Sequence, residues 1–88
     1  MKLIIVILRD EVTESVSRAL VTSNFRVTRI ASTGGFMRRG STTLMIGLED
    51  EKVDDAIQVI RNNCIPTTEP GFKNATLFVL NVARFEQL

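Results

Sequence analysis

Between Asn24 and Thr43 the sequence concentrates side chains suited to holding an anion or a flat heterocycle: Asn24, Arg26, Thr28, Thr33, Gly34, Gly35, Phe36, Arg38, Arg39, Thr42 and Thr43. Glycines expose backbone N–H groups, hydroxyls donate and accept, arginine forks grip phosphate oxygens, and an aromatic ring offers a surface to a base. Every group that a nucleotide needs is therefore present within twenty residues. The same run also suits a hairpin turn in which glycine supplies positive φ, the arginines are solvated and Phe36 caps the core. It is not a Walker A loop, and it lacks the strand-to-helix setting of a dinucleotide fingerprint.

Other chemistry is scarce. The 88 residues include no histidine and one cysteine, Cys64, which removes a disulfide framework, the usual zinc sites and His-based catalysis together. Asp54 and Asp55 are neighbours on a helical stretch and cannot face one another, so no paired carboxylates are available for acid–base work. The expectation is a protein that is not an enzyme and uses no cofactor, with Cys64 serving as a small core hydrophobe. Net charge is +1, yet Ser15 to Leu48 holds Arg18, Arg26, Arg29, Arg38 and Arg39 without one carboxylate, so the rest of the chain is acidic. That asymmetry suits an anionic ligand, or a solvated face answered by acidic residues elsewhere in the fold.

The length allows one domain, residues 1–88, with a modest core that association would help to stabilise. An apolar fraction of 44% with 24% charged residues is ordinary for a globular protein. The longest apolar run, Leu3 to Leu8, is too short for a membrane span or a secretory signal, so no membrane insertion and a cytoplasmic location are expected.

The elements that must carry the polar run follow from periodicity. "KLIIVIL", Lys2 to Leu8, reads as a central strand. Asp10 offers an N-cap to a helix whose apolar stripe is Val12, Val16, Ala19 and Leu20, and "TSN" closes it. A second strand starts at Phe25, with Phe25 and Val27 on one face and Arg26 and Thr28 on the other, until Ile30 breaks the alternation and signals a bulge. Thr42 to Leu48 forms a third strand, in which Gly47 marks a bulge or a close approach to the backbone. "EDEKVDDAI" repeats the acidic helix start, with Val53, Ala56, Ile57 and Ile60 on one face. A loop from Cys64 to Asn74 holds both prolines, and Ala75 to Val82 is the last strand. Strand, helix and strand, twice over, predict an α+β fold of the ferredoxin-like βαββαβ type: a four-stranded antiparallel sheet with two helices on one face. The strands hold more apolar residues than two helices can cover, which favours association through the open sheet face.

The run "NFRVTRIASTGGFMRRGSTTLMIGLED", Asn24 to Asp50, together with the opening "MKLIIVILRDE" and the ending "ATLFVLNVARFEQL", resembles the PII-like cyclic-di-AMP receptor family. The resemblance implies a ferredoxin-like homotrimer. Its pockets between subunits would take a nucleotide second messenger, cyclic di-AMP or another adenine nucleotide, and its loops would relay binding to a partner protein. Matched residue by residue, it implies that Asn24, Arg26 and Thr28 contact base or phosphate, and that Gly35, Phe36 and Met37 form part of the pocket wall. Gly47 would permit close backbone approach, Phe78 would be an apolar contact, and Gln87 would make a polar contact to a base. Each residue also has an ordinary role: Asn24 at a helix end, Phe78 in the core, Gly47 in a bulge, Gln87 in a frayed tail.

The chain departs from the family pattern at two places. Ser41 stands where an Asn is common, keeping a hydroxyl but losing the amide's paired donor and acceptor. The 64–74 loop is short where family members usually carry a longer, glycine-rich insertion. The shortening supports an alternative, a trimeric protein-interaction module of the same fold with a lost or changed nucleotide ligand. Binding to a nucleic acid polymer is not expected, because the strands lack paired RNP-type aromatics and the chain has neither Trp nor Tyr.

Overall fold

The structure, a computed structural model, describes residues 1–33, 40–64 and 73–88. Its elements are β1 (Lys2–Arg9), α1 (Asp10–Thr22), β2 (Val27–Thr33), β3 (Ser41–Leu48), a 3-10 turn (Asp50–Lys52), α2 (Val53–Asn62) and β4 (Ala75–Asn81). The strands form one sheet in the order β2-β3-β1-β4. Every neighbouring pair is antiparallel. This is the ferredoxin-like α+β arrangement, and β1 holds the central place that its β-branched run predicts.

One face of the sheet carries the core. Ile4, Val6 and Leu8 of β1 lie opposite Ile46, Leu44 and Thr42 of β3, and Val12, Val16 and Leu20 of α1 and Ala56 and Ile60 of α2 bury against them. Each fully buried Leu, Ile or Val contributes about 1.5–3 kcal/mol relative to exposure. Both helices therefore sit on the same face. Side chains alternate along a strand, so the residues between these core positions point to the other face, where the described part of the chain has no helix to cover them. Rows of apolar residues cross that face: Leu3 pairs with Leu80 and with Gly47, and Ile5 pairs with Phe78 and with Met45. Ile7, Phe78 and Leu80 remain 38%, 53% and 44% exposed, so β1 is apolar on both faces but covered on only one.

Two local expectations need correction. Asp10 is the first residue of α1 rather than its N-cap; that place belongs to Arg9, which makes no side-chain cap. The Asp10 carboxylate is instead engaged across the fold, accepting a hydrogen bond from Thr42 Oγ1 at 3.2 Å. The second strand starts at Val27 because Ser23 to Phe25 are used to end the helix. The Phe25 N–H donates to Leu20 O and the Asn24 N–H to Val21 O, both at 3.0 Å. Asn24 adopts φ 70°. These two bonds with a left-handed residue form a Schellman motif, in which Asn tolerates the conformation that most residues avoid. Of the two readings open for Gly47, the bulge is excluded, since the residue keeps regular pairing with Leu3. The bulge falls at Ile30, where the β2–β3 register shifts between Arg29 and Ala31.

Candidate functional site

The backbone enters β2 directly from the Schellman turn, and this fixes the direction of the next side chains. Phe25 and Val27 pack against the core, while Arg26 and Thr28 are exposed on the open face. Val27 pairs with Ile46, which brings Arg26 beside Gly47 on the neighbouring strand. Gly47 carries no side chain to fill that place, and the Met1 side chain occupies it: a Cβ on Gly47 would lie 3.1 Å from Met1 Cε. The glycine thus serves the close approach that its position in a strand suggested.

A cavity of about 440 Å³ opens at this end of the open face. Leu3, Met45 and Gly47 contribute from the central strands, Arg26 and Thr28 from the β2 side, and Val82, Phe85 and Gln87 from the segment after β4, with Met1 completing the lining. That segment is brought back by a hydrogen bond from Val82 N–H to Met1 O at 3.1 Å. Among the described residues the lining contains one cationic side chain, Arg26, and no carboxylate. Among the described residues the Arg26 side chain has no hydrogen bond or ion pair, whereas Arg29, three residues on, is paired with Glu14 of α1 at 3.0 Å. Acidic residues elsewhere in the fold thus answer Arg29 and leave Arg26 facing the cavity. An unpaired guanidinium beside a hydroxyl, an amide and an aromatic ring, over an apolar floor, suits a phosphate joined to a planar base.

A second, more open cavity of about 630 Å³ lies on the other side of Arg26 and Gly47 and includes Asn24. Its lining is of mixed sign, with Lys52 beside Glu49 and Asp55. Asn24 therefore shares the second cavity with Arg26 and is not part of the lining that holds Thr28 and Gln87.

The structure thus gathers Arg26, Thr28, Gly47 and Gln87 around one cavity, with Asn24 adjacent. Phe78 lies on the same sheet face, opposite Ile5, but outside that lining. Ser41 is at the far end of β3, paired with Arg9. It is six residues from Gly47, which at about 3.3 Å per residue is roughly 20 Å. Gly35, Phe36 and Met37 lie outside the described residues, as does most of the 64–74 loop. Sequence reasoning passed over Phe85, Leu3 and Met45. Leu3 and Met45 were visible as the alternate positions of β1 and β3; Phe85 had only its place two residues before Gln87.

Elsewhere the chemistry is quiet. Cys64 packs half-buried against the core, and burial pushes its thiol above the usual range, which keeps it protonated at neutral pH. The Met1 ammonium, bonded to Asp50 at 3.0 Å, holds that exposed carboxyl below its usual range. Among the described residues no group of three His, Cys, Asp or Glu side chains is placed to hold a metal ion. Among the described residues no helix is long and apolar enough to cross a membrane.

Two comparisons bear on this geometry. Residues 1–70 match the family described as cyclic-di-AMP receptor. The match includes Arg26, Thr28 and Gly47 but stops before β4, so Phe78, Phe85 and Gln87 lie beyond it. Among solved structures, a functionally unknown protein from Pediococcus pentosaceus ATCC 25745 is similar, with 33% sequence identity and a TM-score of 0.79. The similarity covers 99% of this chain and 96% of that one.

Proposed function

Because the chain belongs to the cyclic-di-AMP receptor family, we propose that it is a non-catalytic cytoplasmic signalling protein that binds cyclic di-AMP at the subunit interfaces of a homotrimer. Loop rearrangement on binding relays the signal to a partner protein. The observation that carries this reading is the cavity on the open sheet face, where Arg26, unpaired among the described residues, meets Thr28, Gly47 and Gln87 in a lining to which no described carboxylate contributes. Arg26 neutralises a phosphate, Thr28 and Gln87 supply hydrogen bonds, and Leu3 and Met45 underlie a base. The apolar rows through Ile5, Phe78 and Leu80 supply the contact between subunits. In such an assembly a neighbouring copy closes the open side of the cavity, and the Ser41 end of one sheet can approach the Arg26 end of the next.

The short 64–74 loop favours a second reading, a trimeric interaction module of this fold with a lost or changed ligand. Calorimetric titration with cyclic di-AMP, cyclic di-GMP, ATP and AMP separates the two. The receptor reading expects saturable binding of cyclic di-AMP in preference to the other three. Absence of binding by any of the four sinks it and favours the module.

A further inference from the structure

The segment after β4 brings to the cavity an aromatic ring that has no part in the core. From Val82 onward this segment has no regular secondary structure, and in an extended chain side chains two residues apart share a side. Arg84 and Glu86 make an ion pair at 2.8 Å. Phe85 and Gln87, the alternate pair, both line the cavity. Phe85 remains 59% exposed, an apolar surface that the folded chain leaves in water. It shares the lining with Arg26 and Thr28, whose guanidinium and hydroxyl suit the polar part of a nucleotide, while the ring suits its flat part.

We propose that Phe85 is a ligand-binding residue whose ring stacks on one nucleobase of the bound nucleotide. This assignment rests on the cavity being the nucleotide site. Stacking tolerates any base but requires a ring on the protein side, so a branched aliphatic side chain of similar bulk cannot replace it.

Phe85→Ala, Phe85→Leu and Phe85→Tyr, each titrated calorimetrically with cyclic di-AMP alongside the wild type, test the proposal. Assembly state and melting temperature are measured on the same samples. Ala and Leu should both weaken binding by about 5- to 150-fold, as loss of one base–aromatic stack does. Tyr should keep most of the affinity, and assembly and melting temperature should be unchanged throughout. A Leu variant that binds like the wild type overturns the role of the ring. Weakened binding accompanied by altered assembly in both Ala and Leu also overturns it, since Phe85 would then be a subunit contact. Wild-type protein that binds no nucleotide overturns the nucleotide site itself, and this proposal with it; wild-type binding with an unaffected Leu variant removes Phe85 alone.

Discussion

Arg26 owes its importance to what surrounds it. Arg29 lies in β2, three residues beyond Arg26, which immediately precedes the strand, yet it is spent on an exposed ion pair with Glu14, an interaction worth about 0–1 kcal/mol. Arg26 has no such partner among the described residues and lines both cavities. Hydrogen bonds to a charged group contribute about 1.5–3 kcal/mol, so Arg26→Ala should weaken cyclic di-AMP binding roughly 10- to 150-fold. Arg18→Ala is the control, because Arg18 is exposed on α1 and lines neither cavity. Titrations of the two variants that return equal affinities would remove Arg26 from the site.

At the scale of elements, the Schellman turn at Ser23 to Phe25 positions Arg26 and Thr28. It stops α1, turns the chain through the left-handed Asn24 and delivers Phe25 to the core, which leaves Arg26 no direction but outward. A β-branched residue at Asn24 would be forced into a backbone conformation that costs about 1–2 kcal/mol. Glycine adopts it freely. Asn24→Val should therefore lower the thermal midpoint by several degrees and Asn24→Gly should not, as followed by circular dichroism. The glycine variant also isolates the side chain's part in binding: folded protein with weakened cyclic di-AMP affinity assigns the amide to the site, and full affinity confines Asn24 to the turn.

For the whole molecule the dominant fact is a sheet that, among the described residues, is covered by helices on one face only. Phe78, Leu80 and Ile7 present an apolar surface that a single chain leaves in water, and burying it against further copies would drive the association that the proposed trimer requires. Light scattering should give a trimeric mass at micromolar concentration, with a melting temperature that rises with protein concentration because association is linked to folding. Phe78→Asp, on the open face opposite Ile5, should shift the protein toward monomer. A wild-type monomer at these concentrations would rule out a site built between subunits.

Much of this was legible without coordinates, because helix and strand periodicity are local properties of the chain. The inward stripes of α1 and α2, the central β1, the outward Arg26 and Thr28, and the break at Ile30 all follow from residue spacing. The "TGGF" run and its flanks likewise carried the family resemblance before any fold was known. What spacing cannot supply is the meeting of distant residues. Gln87 and Phe85 reach Arg26 and Thr28 only because β4 pairs with β1 and the chain then turns back to Met1. Asp10 looked like a helix cap until folding brought Thr42 within reach of its carboxylate. Ser41 and Gly47 are six residues apart in sequence, and an extended strand holds them near its two ends. Cross-strand register and the path of the last segment depend on long-range packing, and only the tertiary structure decides which residues share a cavity.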